Sequence, residues 1–145
     1  MEILNEMRLM FLSKSENEGF ARITAAAFIS PLDPTVSELV EVKTSVSEAV
    51  SNAVIHGYDK TVGVITLEMR LFSDYSVEIT VTDSGKGIPD IEKAREPLFT
   101  TKTEEERSGM GFTVMESFMD ILEVDSAPRK GTRIFMKKRL HPNHT

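Results

Sequence analysis

The sequence contains no cysteine, and aromatic residues make up only 7% of it. Without cysteine there can be no disulfide, no thiolate metal site and no cysteine nucleophile, and this usage fits a reducing compartment. The sequence also has no apolar run of about 18 residues and no positively charged leader with an apolar core. It therefore predicts a cytoplasmic protein with neither a membrane span nor a secretory signal.

Positive charge is also scarce, since 17 Lys and Arg residues stand against 23 Asp and Glu residues, a net charge of −6. This balance provides no general electrostatic footprint for nucleic acid or for an anionic membrane surface. We expect no direct nucleic-acid partner. What remains is a chain of 145 residues with 40% hydrophobic content, which is the size and composition of one domain with a core, spanning residues 1–145.

Alternation of apolar and polar residues predicts the strands. The segments 65–71 and 75–82 alternate on either side of a short break, which is typical of two antiparallel strands with one polar face. Another strand is expected around residues 7–11, and two more near the end of the chain, at 121–124 and 132–136. We expect residues 140–145 to form a frayed tail.

Capping-box spacing marks the heads of two predicted helices. Ser15 with Glu18 begins a helix over about residues 16–29, and Thr35 with Glu38 begins a longer one. In the first helix the apolar stripe is expected to consist of Phe20, Ile23, Ala26 and Ala27. A short helical turn is predicted at 91–95, and a last helix opens at G-M-G. The order of elements predicts an α+β two-layer sandwich whose mixed, mostly antiparallel sheet carries the helices on one face.

The second helix carries polar residues at steps of four. Glu48, Asn52 and His56 lie close together around the axis, and Ser45 falls near the same line. A solvated face would explain this stripe. A metal and acid–base site would explain it as well, because a carboxylate can take a proton and an amide oxygen is a neutral ligand for a hard cation. The stripe alone leaves both interpretations open.

A D-x-G-x-G pattern, formed by Asp83, Gly85 and Gly87, follows a predicted strand directly. It is not a dinucleotide fingerprint, because the third glycine position holds Asp90. Strand alternation aims the carboxylate of Asp83 toward the core, where it needs a partner. A plain turn would explain the glycines, but an inward carboxylate suits the exocyclic amine of an adenine, and glycines let a ring approach the backbone.

A third pattern comprises Ser108, Gly109, Met110 and Gly111 at the start of the last helix. Backbone N–H groups at a helix start form an anion site, and glycines allow phosphate oxygens to come close. Glycine pairs before helices are common, so this pattern is weak by itself.

The long, charged connection before that helix has no secondary-structure period. Connections of this length inside a small domain are usually either functional flaps or disordered, and we expect a lid over residues 97–108. Thr101, Lys102 and Arg107 lie there and are candidates to cover phosphates. Charges that merely keep an exposed loop soluble would explain them equally.

Together with G-T at Gly131 and Thr132, these patterns resemble the family of ATPases and kinases that includes gyrase, the heat-shock-90 chaperone, sensor histidine kinases and the mismatch-repair ATPase subunit. EAVSNAVIHGY resembles the N box of that family, DSGKG and SGMGF resemble its glycine boxes, and KGT resembles its last box. The longer stretches PLFTTK and ERSGMGFTVMESFMD resemble its branch of sporulation anti-sigma kinases, so that the resemblance extends over nearly the whole chain. It implies a Bergerat-type ATP-binding fold.

The resemblance also implies ATP and ADP as ligands, with Mg²⁺ as cofactor. Asn52 is similar to the Mg²⁺ ligand of the family, and Glu48 is similar to the catalytic base that deprotonates a serine hydroxyl. Asp83 looks like the adenine reader, helped by Gly87 and Thr132.

By the same resemblance Gly109 and Gly111 form the phosphate loop, and Arg107 helps to hold the phosphates. The branch acts as a homodimer that binds a sigma factor and phosphorylates a serine of an anti-anti-sigma protein. Its first helix docks partners, which singles out Glu18 and Arg22. Alternatives are a sigma-factor inhibitor that uses ATP only to organise its partner surface, a paralogous kinase for another sigma factor, and the ATP-binding domain of a histidine kinase.

Overall fold

The computed structural model describes residues 1–58, 61–85, 111–127 and 129–141. Its elements, in chain order, are β1 (Ile3–Leu12), α1 (Glu16–Ile29), a 3-10 turn (Ser30–Leu32), α2 (Val36–Asn52), a π-helical turn (Ala53–Gly57), β2 (Val64–Phe72), β3 (Ser76–Asp83), α3 (Gly111–Phe118), β4 (Ile121–Ala127) and β5 (Gly131–Arg139). The helical turn predicted at 91–95 and the lid predicted at 97–108 lie outside the described residues. Within the described ranges, no helix is both long and apolar enough to cross a membrane.

The sheet has the strand order β1-β2-β3-β5-β4, and each neighbouring pair is antiparallel. The predicted α+β class is confirmed, although the described strands include no parallel pair that would make the sheet mixed. β5 is the last strand in sequence and lies between β3 and β4. This order brings Thr132 of β5 opposite Asp83 of β3.

The core lies between one face of this sheet and the helices. Alternate residues of β2 and of β3 are buried on that face, and they form one hydrophobic core with the apolar side of α2. Burying an aliphatic side chain contributes roughly 1.5–3 kcal/mol each, so this contact fixes the rotation of α2 about its axis. The side chains involved are Ile65, Leu67, Met69 and Leu71 from β2 and Val42, Val46, Ala49 and Val50 from α2.

The apolar stripe expected on α1 faces the other way. Ala21, Ala25 and Ile29 are the buried residues of this helix, whereas Phe20 is 51% exposed and Ile23 is 65% exposed. The small side chains of Ala21 and Ala25 let α1 approach α2 closely, whereas Phe20 and Ile23 are left on the surface.

The two predicted capping boxes have different outcomes. Thr35 is extended and accepts the N–H of Glu38 at 3.1 Å, while Glu38 accepts the N–H of Thr35 at 2.9 Å, so this box is confirmed. Ser15 has helical backbone angles and makes no side-chain cap bond, so that prediction is wrong. Ser13, two residues earlier, is tied to Gly63 by two bonds of 2.9 Å, and the chain enters α1 without the extended residue that an N-cap needs.

The end of β5 is held against the rest of the protein. Leu140 is buried, and its N–H donates to the carbonyl oxygen of Tyr75 at 2.8 Å. The N–H of His141 donates to Oε2 of Glu38 at 2.7 Å. The first two residues of the expected tail are therefore hydrogen-bonded, and residues 142–145 lie outside the described part of the chain.

Candidate functional site

Asp83 closes β3 and points into the protein, as strand alternation predicts. It is 5% exposed, and its Oδ1 accepts the N–H of Gly85 at 2.9 Å. Burial raises the pKa of Asp83, and hydrogen bonds from the backbone of Gly85 and Thr132 act in the opposite direction. A carboxylate has about four lone-pair positions, so this buried group still has room to accept an N–H from a ligand.

Three backbone segments converge on Asp83, and each carries a glycine at the point of contact. A Cβ on Gly57 would lie 2.8 Å from Oδ1 of Asp83, and a Cβ on Gly85 would overlap the carbonyl oxygen of Gly57. Gly131 has φ +85°, and a Cβ there would overlap the carbonyl oxygen of Asp83. The end of the π-helical turn, the loop after β3 and the start of β5 thus meet around one carboxylate.

The polar stripe of α2 runs beside the packed face of the helix. Asn52, the last residue of α2, is 8% exposed, and Glu48 is partly buried one turn earlier. Ser45, on the same line, is fully buried, and its hydroxyl has no hydrogen-bond partner in the described structure. A stripe of this kind is not a solvated helix face.

The π-helical turn connects this stripe to Asp83. It begins directly after Asn52, and its geometry appears in the bond from the N–H of Tyr58 to the carbonyl oxygen of Ala53, at 3.2 Å. Turns of this kind widen a helix and are frequent at functional sites. Here the turn brings Gly57 against Asp83, only five residues after Asn52.

Thr132 lies on the other side of Asp83. It is buried, and its Oγ1 is 2.8 Å from Oγ of Ser126 on β4. Ser126 also donates to the carbonyl oxygen of Gly131 at 3.1 Å. The sequence analysis missed Ser126, because only the pairing of β4 with β5 places it beside Thr132.

The two predicted partner residues lie apart from Asp83, on α1. Glu18 is partly buried, and Nη1 of Arg22 donates to Oγ of Ser47 on α2 at 3.4 Å. Ser47 immediately precedes Glu48 in sequence, so this bond joins α1 to the part of α2 that carries the predicted catalytic residue.

Gly111 is buried at the first turn of α3. The remaining predicted binding residues lie outside the described part of the chain, namely Gly87, Thr101, Lys102, Arg107, Ser108, Gly109 and Met110. The structure leaves their predicted roles as predictions.

Comparisons with known proteins show what this chain is similar to. A family model described as the histidine kinase-like ATPase domain matches residues 13–138. The chain is 58% identical over 138 residues to an anti-sigma F factor from Thermoanaerobacter sp. (strain X514), covering 95% of this chain and 96% of the relative. It is 59% identical over 138 residues to an anti-sigma F factor from Clostridium perfringens (strain SM101 / Type A), covering 94% and 98%.

A solved structure shares the fold. The chain superposes on the RsbU and RsbW domains of Rv1364c from Mycobacterium tuberculosis with a TM-score of 0.69 and 19% sequence identity. The match covers 94% of this chain and 32% of that chain. At this identity the similarity shows the architecture, including the sheet that carries Asp83 and Thr132.

Proposed function

Because the chain belongs to the histidine kinase-like ATPase family, and within it to the anti-sigma F factors, we propose that it binds and inhibits a sigma factor of the sigma-F type and phosphorylates a serine of the cognate anti-anti-sigma protein. ATP is the phosphoryl donor and ADP the product. The observation that carries the nucleotide assignment is the buried carboxylate of Asp83, which is aimed inward at the end of β3.

Adenine recognition is assigned to Asp83. Two backbone groups occupy part of its acceptor capacity, and the 6-amine of adenine is a donor that the remaining lone pairs fit. A base that carries a carbonyl oxygen at position 6 offers no such donor, so the carboxylate would discriminate against it. Gly87 and Thr132 are proposed to help this contact from either side.

Asn52 is proposed as the protein ligand of Mg²⁺. In the described ranges no three His, Asp or Glu side chains are grouped as a metal site, and a cation bound by one amide oxygen plus phosphate oxygens and water needs no such group. When bound, Mg²⁺ neutralises charge on the transferring phosphoryl group. Asn52 is 8% exposed and lies at the end of a packed helix, so its amide can orient such a ligand set.

Glu48 is proposed as the base, one helical turn before Asn52. The serine oxygen of the partner protein bonds to the γ-phosphorus, its proton passes to the Glu48 carboxylate, and ADP leaves. Phosphoryl transfer depends mostly on positioning and on electrostatic stabilisation. A rigid helix that carries both Glu48 and Asn52 supplies the positioning. The proposed phosphate loop Gly109 to Gly111, with Arg107, supplies the electrostatic stabilisation.

Partner binding is assigned to α1. Glu18 and Arg22 are proposed to contact the partner, and the same helix leaves Phe20 and Ile23 exposed. Exposed large apolar side chains suit a protein partner. We propose that the protein works in the cytoplasm, and that it forms a homodimer, as the sequence resemblance implies.

The test of the kinase assignment is label transfer. The protein is incubated with Mg²⁺, γ-labelled ATP and an anti-anti-sigma protein, and label on serine is measured. Glu48→Gln should bind ATP almost as well as the unmodified protein and transfer no label, while Glu123→Gln on β4, whose side chain is exposed, should transfer normally. Equal phosphorylation by Glu48→Gln would sink the base assignment, and ATP binding without any transfer would favour an inhibitor that is not a kinase.

The test of the nucleotide assignment is Asp83→Asn. Asparagine keeps an acceptor oxygen for Gly85 but presents an N–H₂ group toward the adenine amine. ATP affinity should therefore fall by at least about tenfold, the equivalent of ~1.4 kcal/mol for a lost hydrogen bond to a charged group. Asp125→Asn, an exposed site on β4, is the matched control. An unchanged ATP affinity in Asp83→Asn would refute the assignment.

A further inference from the structure

The hydroxyl of Tyr58 lies between the ends of β2 and β3 and bonds to both. It accepts the N–H of Ser84 at 2.7 Å and donates to the carbonyl oxygen of Val64 at 2.8 Å. Neither the sequence patterns nor the family boxes give this side chain a role.

The position of this hydroxyl explains where β3 ends. The last pair in the ladder of β2 with β3 is Ile65 opposite Asp83, so one further pair would set Val64 opposite Ser84. The hydroxyl of Tyr58 instead binds the N–H of Ser84 and the carbonyl oxygen of Val64. It replaces a direct bond between the strands and stops the ladder immediately after Asp83.

Termination at this point shapes the turn that holds the Asp83 carboxylate. With the N–H of Ser84 bound to Tyr58, the chain turns so that the N–H of Gly85 donates back to Oδ1 of Asp83 at 2.9 Å. Gly85 also packs directly on the carbonyl oxygen of Gly57. Consecutive residues 57 and 58 thus hold the two residues that follow Asp83.

The ring of Tyr58 is itself fixed. It lies so close to Gly63 that a Cβ on Gly63 would overlap it, and Gly63 is held by its two bonds to Ser13. The hydroxyl is therefore presented from a packed side chain and not from a freely rotating one.

We propose that Tyr58 is a positioning residue for nucleotide recognition: its hydroxyl sets the end of β3 and thereby the orientation of the Asp83 carboxylate toward the 6-amine of adenine. This inference rests on the proposed role of Asp83. Tyr58 acts through Asp83 and the Ser84–Gly85 turn and makes no contact with the reacting atoms.

The test compares Tyr58→Phe with Tyr75→Phe. These are the two tyrosines of the chain, and Tyr75 lies at the opposite end of the β2–β3 hairpin, about 25 Å away along an extended strand of eight residues. Affinities for ATP and for ITP, which has a carbonyl oxygen in place of the 6-amine, are measured calorimetrically with Mg²⁺. Tyr58→Phe should lose about fivefold to tenfold in ATP affinity and little in ITP affinity, while Tyr75→Phe should change neither.

The ratio of the two affinities separates positioning from general stability. A merely structural tyrosine would lower the melting temperature of Tyr58→Phe and leave the ATP-over-ITP preference intact, and that result would overturn the proposal. The ATP-over-ITP preference of Asp83→Asn separates the proposed role of Tyr58 from the proposed role of Asp83. A changed ratio in Asp83→Asn with an unchanged one in Tyr58→Phe refutes the role of Tyr58 alone, and an unchanged ratio in both refutes the adenine assignment on which it rests.

A second measurement uses the unmodified protein and so does not depend on the folding of a variant. Hydrogen exchange of the Ser84 amide should be slow both without nucleotide and with ATP bound, because its bond to Tyr58 persists in the recognition geometry. Fast exchange of that amide in the ATP complex would overturn the proposal.

Discussion

Replacing Lys138 by methionine tests whether the end of β5 holds α2 and α3 in place. The side chain of Lys138 is 12% exposed, and its Nζ lies 2.9 Å from Oε1 of Glu41 on α2. The same Nζ donates at 2.8 Å to the carbonyl oxygen of Phe118, the last residue of α3. One ammonium group therefore joins three elements.

The size of the effect follows from these two contacts. A hydrogen bond from a charged donor contributes about 1.5–3 kcal/mol, and this one also places a cation at a helix C-terminus. The ion pair adds less than about 1 kcal/mol, because the Glu41 side chain is 30% exposed and can be hydrated again. Methionine keeps most of the apolar chain packing, so Lys138→Met should lower the free energy of unfolding by about 2–3 kcal/mol.

Urea unfolding followed by circular dichroism measures this loss, and the melting temperature should fall by about 4–12 °C. Lys130→Met is the matched control, since Lys130 is exposed in the turn before β5. Glu41→Gln should cost about 0.5–1 kcal/mol, because it removes only the ion pair. A free energy of unfolding for Lys138→Met within about 0.5 kcal/mol of the unmodified protein would refute the reasoning.

Two further predictions concern polar groups of α2. Ser45→Ala should raise the free energy of unfolding by about 1 kcal/mol, because it removes a buried hydroxyl that has no partner in the described structure; a loss of stability in urea unfolding would show that this hydroxyl is satisfied. Burial alone would raise the pKa of Glu38, but hydrogen bonds from the backbone of Thr35 and of His141 outweigh it and lower that pKa below its ordinary value. When the folded-state pKa of a carboxyl group is lowered, the ionised group stabilises the fold above the unfolded-state pKa, and this stabilisation is lost as the pH falls through the folded-state pKa. Glu38→Gln should therefore be less stable than the unmodified protein at pH 7, and the two should become equally stable in unfolding curves measured in acid. A stability difference that does not change with pH would contradict this.

Strand alternation was sufficient to predict the part of the site that depends on local geometry. A period of two places every second residue on one face, and the inward direction of Asp83 follows from this. The capping box at Thr35 was predictable for the same reason, since its two partners are three residues apart.

The features that could not be predicted depend on residues distant in sequence. Tyr58 bonds to Ser84 across 26 positions, and Glu38 bonds to His141 across 103; no periodicity signals either contact. Ser15 has the same spacing to its partner as Thr35, but its backbone is already helical and its side chain makes no cap bond. Phe20 shows a related limit, because an apolar stripe does not say whether it faces the core or a partner.

The inner position of β5 determines when the protein can become functional during its synthesis. Thr132 pairs with Asp83 but is translated 49 residues later, about 2–10 s at typical elongation rates of roughly 5–20 residues per second. Throughout that interval β3 has an unpaired edge, and β4 is made before its neighbour in the sheet exists. A ribosome-bound chain shorter than about 140 residues therefore cannot assemble the surroundings of Asp83, and it presents to chaperones an open strand that the finished protein hides.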